Sequence, residues 1–163
     1  MNRGLRRAVV AAVAMLTVGA GGALTAAPAQ AVSYRPLMNV HTGTCLTAGD
    51  SGVVFVSRCT GNTHQQWTAG AKNASGFYLL RNRATGKCLS TDYRTRVNAV
   101  WVGSCVMNSG KLWKFNSSSG DFLNGDLNSN LRTSSRAGAV YSDYNHDLDS
   151  SYYRWRLMPV SDN

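Results

Sequence analysis

The side chains in this sequence that could carry out chemistry are three His, four Cys and eight acidic residues, every one of them Asp. The densest group is Asn145, His146 and Asp147 with Asp149 nearby, and these residue types can bind a metal ion. A hydrated loop between two strands has the same composition, and we favour that interpretation. A hydrolase would need a nucleophile beside a base, or two carboxylates at a fixed separation. The sequence contains no nucleophile elbow, His-Glu-x-x-His motif or phosphate-binding glycine loop, so it predicts no enzyme, metal site or cofactor.

The first 31 residues have the pattern of an export signal. Basic residues stand near the start, residues 8–20 are apolar, and Ala29-Gln30-Ala31 has the small-x-small form of a cleavage site. The apolar run is short for a membrane span, which needs about 20 residues. The sequence therefore predicts a signal peptide at 1–31, a secreted domain at 32–163, and no membrane-spanning segment.

The elements that position the polar residues come from a stretch of about forty residues that occurs twice and is echoed a third time. Each copy has an Asn near its start and a Trp near its end, at Asn39 and Trp67, Asn82 and Trp113, and Asn124 and Trp155. A fixed period of this size is typical of a repeat architecture. We predict copies at about 32–73, 75–118 and 120–160.

Turn-forming residues separate short apolar segments within each copy. In copy one, for example, residues 49–52 have turn composition and precede the apolar segment 53–56. Val, Thr, Tyr, Trp, Asn, Ser and Gly are plentiful, which favours strands and turns over helices. The sequence therefore predicts an all-β fold, closed or sandwiched, in which three units contribute four strands each. Because one copy cannot bury its own apolar face, we expect Trp67, Trp113 and Trp155 to share a core.

Four Cys in an exported chain predict two disulfides, which can connect in three ways. The repeat favours pairing within a copy, which gives Cys45–Cys59 in copy one and Cys88–Cys105 in copy two. Each crosslink would stabilise the fold by about 3 kcal/mol, because it restricts the unfolded chain. The closely spaced Cys pairs of zinc sites do not occur. In copy three, Asn130 and Asn145 stand at the two Cys positions.

The net charge of +9 could favour anionic surfaces such as teichoic acid, phospholipid headgroups or nucleic acid. The basic residues are spread along the chain, however, and solubility of an exported protein explains the same excess. Nucleic-acid binding would also need aromatic side chains along one basic face. We therefore do not predict a nucleic-acid partner.

Four features mark the copies, and the first three of them recur in copies one and two. They are an Asn six residues before the first Cys, a Gly-x-Cys-Leu turn, a Cys partner inside the copy, and a Gln-x-Trp ending that only copy one keeps in full. Copy one has them at Asn39, Gly43 and Gln65, copy two has the first two at Asn82 and Gly86, and copy three matches only in its frame. This pattern resembles the ricin B-chain type of β-trefoil lectin, and the resemblance spans residues 32–163.

The resemblance implies a β-trefoil of three four-stranded repeats with pseudo-threefold symmetry. It also implies a secreted, non-catalytic carbohydrate-binding module that recognises extracellular or cell-surface glycans. The alternative is a protein-interaction or delivery subunit of a secreted toxin-type complex, in which the sugar pockets have degenerated. Its partner would then be a separately encoded secreted protein.

Sugar pockets of this family typically use an acid after Cys-Leu, an aromatic residue two positions before the second Cys, and an amide before the Trp. The acid accepts hydrogen bonds from sugar hydroxyls, and the aromatic ring stacks on the apolar face of the sugar. The first two positions are occupied here by Thr47 and Ser57, Ser90 and Gly103, and Arg132 and Asp143. The amide persists only as Gln65, which commonly braces the repeat in this family. No copy therefore holds a full galactose-type site.

Neighbouring residues could replace the missing groups, although an ordinary surface or half-buried role is the alternative for each. Asp50 and Asp92 lie shortly after their Cys and could turn towards the pocket. Stacking faces could come from His64, Tyr93, Tyr144 and Tyr152. The candidate carbohydrate contacts are Asp50, His64, Gln65, Asp92, Tyr93, Asp143 and Tyr144.

Overall fold

The computed structural model describes residues 32–125 and 127–159, so the predicted signal peptide lies outside the described residues. The described chain is all-β, as predicted, with two short 3-10 helices at Thr63–Gln65 and Ser150–Tyr153. Neither helix has the length or the apolar character that crossing a membrane requires. The strands are β1 Arg35–Asn39, β2 Cys45–Ala48, β3 Val54–Ser57, β4 Gln66–Ala69, β5 Tyr78–Asn82, β6 Cys88–Thr91, β7 Val97–Gly103, β8 Leu112–Phe115, β9 Phe122–Asn124, β10 Ser129–Thr133, β11 Val140–Asp143 and β12 Trp155–Leu157.

Six of these strands close into a ring, in the order β1, β4, β5, β8, β9 and β12. Each neighbouring pair is antiparallel. The junction between β9 and β12 is short, and it consists of a bridge between Asp121 and Arg154 just before the two strands. The Trp155 N–H also donates to the Gly120 carbonyl there, at 2.7 Å. A closed ring leaves no edge strand open to pairing with another chain.

The other six strands form three hairpins, β2–β3, β6–β7 and β10–β11. Strands β7 and β11 also pair with each other, from Tyr141 opposite Ala99 to Asp143 opposite Val97. Strand β3 reaches one neighbour through Val56, whose N–H donates to the Gly138 carbonyl at 3.0 Å. The hairpins are thus bonded to one another as well as continuous with the ring.

Three buried Trp side chains make the same hydrogen bond in three places. Trp67, Trp113 and Trp155 are at most 2% exposed, and all three belong to the hydrophobic core. Each indole Nε1–H donates to a Leu carbonyl, with Leu46 at 2.9 Å, Leu89 at 3.0 Å and Leu131 at 2.9 Å respectively. A buried indole N–H is costly unless it finds an acceptor. These bonds therefore fix both the rings and the strands that carry the Leu residues.

The Asn of copies one and two folds the turn that leads into the next strand. Asn39 and Asn82 are fully buried. The Asn39 Oδ1 accepts from the His41 and Thr42 N–H groups, and the Asn82 Oδ1 accepts from the equivalent pair two and three residues on. Each Nδ2 group donates to a backbone carbonyl just before a strand that carries a buried Trp, for example from Asn82 to His64 at 2.8 Å. The repeated Asn is therefore a buried turn-forming residue.

The disulfides Cys45–Cys59 and Cys88–Cys105 are both present, each within one copy. In copy three, Asn130 stands at the first Cys position, but its partner is not Asn145. Instead, the Asn130 amide contacts the His146 ring Nε2 at 2.5 Å. His146 adopts a positive φ of 50° at this point of the chain.

Replacing Trp113 with Phe should lower the free energy of unfolding by about 1–3 kcal/mol, because the Leu89 carbonyl would lose its buried donor. Urea unfolding followed by circular dichroism measures the change. The matched control is Trp101→Phe, since Trp101 is only partly buried and should change stability by no more than about 0.5 kcal/mol. Equal losses in the two variants would contradict the assigned role of the indole bond.

Candidate functional site

In copy one, the two positions where the family places an acid and an aromatic residue bond to each other. The Thr47 and Ser57 hydroxyls are 2.9 Å apart. Gln65 lies beneath them at 1% exposure, and its Nε2 group donates to Ser57 at 2.9 Å and to the Arg58 carbonyl at 2.8 Å. Its Oε1 atom accepts from the Thr60 N–H at 2.8 Å. Gln65 is therefore a buried brace, and contact with a ligand would require these bonds to break.

The other two candidates of copy one lie at the rim above this brace. The His64 Nδ1 atom is 2.8 Å from the Ala48 carbonyl, which can only accept, so Nδ1 carries the proton and Nε2 is left free. That Nε2 atom lies 4.0 Å from the Asp50 carboxylate, whose side chain is 91% exposed. Phe55 stands across the hairpin from Thr47 and keeps 36% of its surface exposed. Copy one thus carries a partly exposed ring, a carboxylate and an imidazole near its family pocket positions.

In copy two, the same positions carry only one polar group, the Ser90 hydroxyl. The Ser90 hydroxyl donates to the Cys88 carbonyl at 3.0 Å, and Gly103 contributes no side chain. Lys111, which replaces the bracing Gln, donates from Nζ to the Ser104 carbonyl at 2.9 Å. This site therefore offers neither the acid nor the amide of the family pocket.

In copy three, the two positions hold a buried ion pair. The Arg132 Nε atom is 2.9 Å from the Asp143 carboxylate, and the side chains are 8% and 2% exposed. Asp143 also accepts from the Asn145 N–H at 3.0 Å and from the Tyr153 hydroxyl at 3.4 Å. Burial, and then the negative charge of Asp143, raise the pKa of the Tyr153 phenol above its usual value. The carboxylate of Asp143 is therefore occupied inside the protein.

Two candidates from different copies come together on the surface. Tyr93 is 66% exposed and Tyr144 is 41% exposed. Their ring centroids are 6.2 Å apart and the ring planes are inclined by 38°. They meet because β7 pairs with β11, which brings the loop before β7 beside the loop after β11. We call Tyr93 and Tyr144 the tyrosine platform.

Two charged pairs flank the tyrosine platform. Arg94 lies 3.3 Å from the carboxylate of Asp92, which is about one-third exposed. Arg96 lies 2.6 Å from the carboxylate of Asp147, and both of these side chains are about half exposed. Guanidinium groups only donate hydrogen bonds and carboxylates only accept them, so the surface offers both functions beside open aromatic rings.

The residues of the possible metal group are used elsewhere. His146 contacts Asn130, and Asp147 pairs with Arg96. Asp149 caps the second 3-10 helix, and hydrogen bonds from the Ser151 hydroxyl and N–H lower the pKa of its carboxyl group. Within residues 32–125 and 127–159, no group of three His, Cys or acidic side chains is close enough to hold a metal ion.

One set of aromatic residues was not included among the candidates. Phe55, Trp101 and Tyr141 lie directly across the hairpins from the first pocket position, and all three are partly exposed. The Arg132 guanidinium lies over the Tyr141 ring at 5.1 Å. The signal in the sequence is their fixed place four residues before the second Cys or its counterpart. A hairpin register is needed to place these rings beside the pocket, and the spacing alone does not provide it.

Residues 25–102 match the family described as ricin-type beta-trefoil lectin domain-like. No curated protein matches the chain in sequence. Among solved structures, a designed threefold-symmetric protein, ThreeFoil, is similar with a TM-score of 0.68 and 21% identity, over 77% of this chain and 98% of that one. The resemblance to ricin-type β-trefoil lectin domains is thereby confirmed.

Two natural proteins have similar structures. A GlcNAcα1-4Gal-releasing endo-β-galactosidase from Clostridium perfringens has a TM-score of 0.64 and 21% identity, over 78% of this chain and 32% of that one. A salivary protein from Culex quiquefasciatus, of the Cysteine and Tryptophan-Rich family, has a TM-score of 0.59 and 23% identity, over 78% and 93% respectively. At these identities the similarity shows a shared fold.

Replacing Arg132 with Met should cost about 3–5 kcal/mol of stability, because Asp143 would remain buried without a countercharge. The double variant Arg132→Met with Asp143→Asn should recover most of that loss, since the neutral amide can still accept from Tyr153. Chemical denaturation of both variants measures the difference. A loss below about 1 kcal/mol in the single variant is typical of exposed pairs and would contradict the buried assignment.

Proposed function

We propose that this protein, which carries a ricin-type β-trefoil lectin-like domain, is a secreted carbohydrate-binding module that recognises glycans without chemically changing them. The observation that carries the proposal is the tyrosine platform, where Tyr93 and Tyr144 stand exposed beside two charged pairs. Aromatic faces pack against the apolar side of a sugar ring, and charged groups bond its hydroxyls. The platform supplies both kinds of contact in one place.

The internal bonds of the family's pocket positions support a displaced contact surface. Thr47 bonds to Ser57, and Arg132 pairs with Asp143, so these groups already have partners inside the protein. The tyrosine rings and Arg94 are exposed, and Asp92 is about one-third exposed. We therefore expect the first glycan contact at the tyrosine platform rather than at any of the three family pockets.

The copy-one rim is the second place where a sugar could bind. His64 is held by the Ala48 carbonyl and lies 4.0 Å from the Asp50 carboxylate, and Phe55 lies across the hairpin from Thr47. Phe55 is 36% exposed there, whereas the two tyrosine rings of the platform are 66% and 41% exposed. We therefore rank this rim below the platform.

We infer that both surfaces are carried by three four-stranded units arranged about a pseudo-threefold axis. Residues 32–163 form these units after removal of a signal peptide at 1–31. The recurrence of the Trp-to-Leu bond supports this arrangement, since it joins the last strand of each unit to its second strand. The two disulfides are also compatible with folding outside the cytoplasm.

A glycan array probed with the purified protein should show binding that free sugar competes away. Replacing both Tyr93 and Tyr144 with Ala should weaken the strongest signal at least about tenfold. The reason is that each aromatic ring that stacks on a ligand ring contributes about 1–3 kcal/mol to the binding free energy. The control is Met107→Ala, which removes an apolar side chain that is 64% exposed and does not belong to the platform.

Two results would contradict the proposal. One is an array on which no glycan binds. The other is binding that the tyrosine double variant leaves unchanged, which would move the contact to the copy-one rim or elsewhere. In that case Asp50→Ala and His64→Ala would identify the rim if they abolish the signal.

The second candidate function is that of an interaction or delivery subunit in a secreted toxin-type complex. The observation that favours it is that no family pocket keeps its acid, with Thr47, Ser90 and Arg132 at that position. Purification from culture medium should then return a secreted protein in fixed stoichiometry. A silent glycan array together with such a partner would favour this function over carbohydrate binding.

A further inference from the structure

A cleft of about 490 Å³ lies between the turn that joins β8 to β9 and the strand β12. The turn contributes three consecutive hydroxyl side chains, Ser117, Ser118 and Ser119, which we call the serine turn. Arg154 and Arg156 line the opposite side. None of these five residues belongs to the family's pocket positions or to the tyrosine platform, so the cleft is a separate feature of the surface.

The two arginine side chains leave the same face of the chain. Between them lies Trp155, which is 2% exposed and belongs to the core. Arg154 has extended backbone angles, with φ −90° and ψ 128°, so the alternation of side chains typical of a strand includes it. Arg154 and Arg156 are both exposed, and residues two apart on a strand are about 6–7 Å from each other. One stretch of surface thus carries two guanidinium groups.

The serine turn is held against the start of β12 by backbone contacts. The Trp155 N–H donates to the Gly120 carbonyl at 2.7 Å, and the Arg154 Nε–H donates to the Ser119 carbonyl at 3.3 Å. Gly120 has a φ of 83°, and a Cβ atom there would lie 3.1 Å from the Trp155 carbonyl oxygen. The turn is closed by the Asn116 carbonyl, which accepts from the Gly120 N–H at 2.7 Å. The hydroxyls and the guanidinium groups are therefore placed side by side before any ligand binds, which lowers the entropic cost of binding.

The positive charge of this cleft has no countercharge in its lining. None of the described residues that line it is acidic, and Asp121, just beyond the turn, lines a different cleft. Within the part of the chain that the structure describes, neither Arg154 nor Arg156 belongs to an ion pair. The pKa of Asp149 is lowered by hydrogen bonds from Ser151 and, less strongly, by the charge of Arg154, but this carboxylate is occupied by those hydrogen bonds. The two guanidinium charges are thus left for an anion.

One hydroxyl of the serine turn is buried without a partner. The Ser119 Oγ atom has no hydrogen bond to any other described residue, although solvent does not reach it. A buried polar group in this state costs free energy, and native proteins contain few of them. Because Ser119 itself lines the cleft, a ligand bound there is positioned to accept from this hydroxyl.

The border of the cleft is apolar. Val40 and Leu157 line it and are 40% and 37% exposed, and Phe115 lines it beside them. A bare inorganic anion would make no use of these side chains. A ligand that also carries carbon atoms would remove part of this apolar surface from water, which favours binding.

From this arrangement we propose that the cleft binds a phosphate monoester with a small carbon skeleton. The phosphate oxygens accept hydrogen bonds from both guanidinium groups and from the serine hydroxyls. A phosphate monoester carries a charge of about −1.5 to −2 at neutral pH, which matches two arginines. The proposal adds a ligand of a different class to the glycans proposed above, and it does not depend on them.

Isothermal titration calorimetry with glycerol 3-phosphate tests the proposal at about pH 7.5, above the second phosphate pKa of about 6. Succinate is the matched ligand, because it carries a similar charge on two separate, planar carboxylates. At equal ionic strength, glycerol 3-phosphate should bind at least about tenfold more tightly than succinate. Equal affinities would mean that the arginines attract any dianion by charge alone, and the proposal would be wrong.

Variants of the two arginines locate the binding. Arg154→Gln and Arg156→Gln should each weaken glycerol 3-phosphate binding about tenfold, through loss of a charge-assisted hydrogen bond. The control Arg58→Gln removes the same charge from an exposed arginine that does not line the cleft, and it should leave the affinity unchanged. Binding that survives both cleft variants, or that weakens as much in the control, would overturn the assignment.

Ser119→Ala separates a role in binding from a role in folding. The variant should weaken binding severalfold and leave the urea midpoint unchanged or raised, because it removes a buried hydroxyl that the free protein does not satisfy. A lower midpoint with unchanged affinity would show that this hydroxyl serves the fold and would contradict its place in the site.

The same phosphate monoester occurs on a lipid, phosphatidic acid. Sedimentation with phosphatidylcholine vesicles that contain phosphatidic acid, compared between the natural chain and Arg156→Gln, distinguishes the two sources. Sedimentation that the variant abolishes identifies a lipid headgroup, and glycerol 3-phosphate binding without sedimentation identifies a soluble ester. If neither binds, the proposal fails, and the glycan array still judges carbohydrate binding independently.

Discussion

The structure depends on three hydrogen bonds from buried indole N–H groups to Leu carbonyls, made by Trp67, Trp113 and Trp155. Each bond joins a ring strand to the strand that follows the Asn-directed turn, so the core and the hairpins are fixed together. The Leu carbonyl is the acceptor that makes burial of such a large polar-tipped ring possible. Because these three bonds hold the core, the loops within and after the hairpins can differ in sequence between copies. The side chains of the tyrosine platform lie in those loops.

Much of the fold follows from the sequence because the positions that build it recur with a fixed period. Buried Trp and Leu residues fill the same structural role in each copy, and the buried Asn residues do so in copies one and two, so their spacing predicts an all-β chain with a shared Trp core. Pairing within a copy gives the disulfides for the same reason. The spacing carries no information on the Asn130 contact with His146, since a left-handed residue cannot be inferred from a frame.

The candidate site was less predictable because it depends on which side chains bond to each other. Asp143 has the residue type of a sugar ligand, yet its partner Arg132 comes from the opposing strand and holds it inside the protein. Gln65 is likewise retained as a brace. Tyr93 and Tyr144 are far apart in sequence, and only the β7–β11 pairing brings them together. Positions close in the repeat pattern were therefore less informative than contacts between copies, and one such contact brings the two rings of the tyrosine platform together.

Hydrogen exchange of the four indole N–H groups, followed by NMR under native conditions, tests the central contact most directly. The account predicts that the indoles of Trp67, Trp113 and Trp155 exchange only through global unfolding, with the same free energy as denaturation. The partly exposed Trp101 should exchange much faster. Rapid exchange at any of the three buried indoles, under conditions where the protein stays folded, would contradict the claim that these bonds hold the fold together.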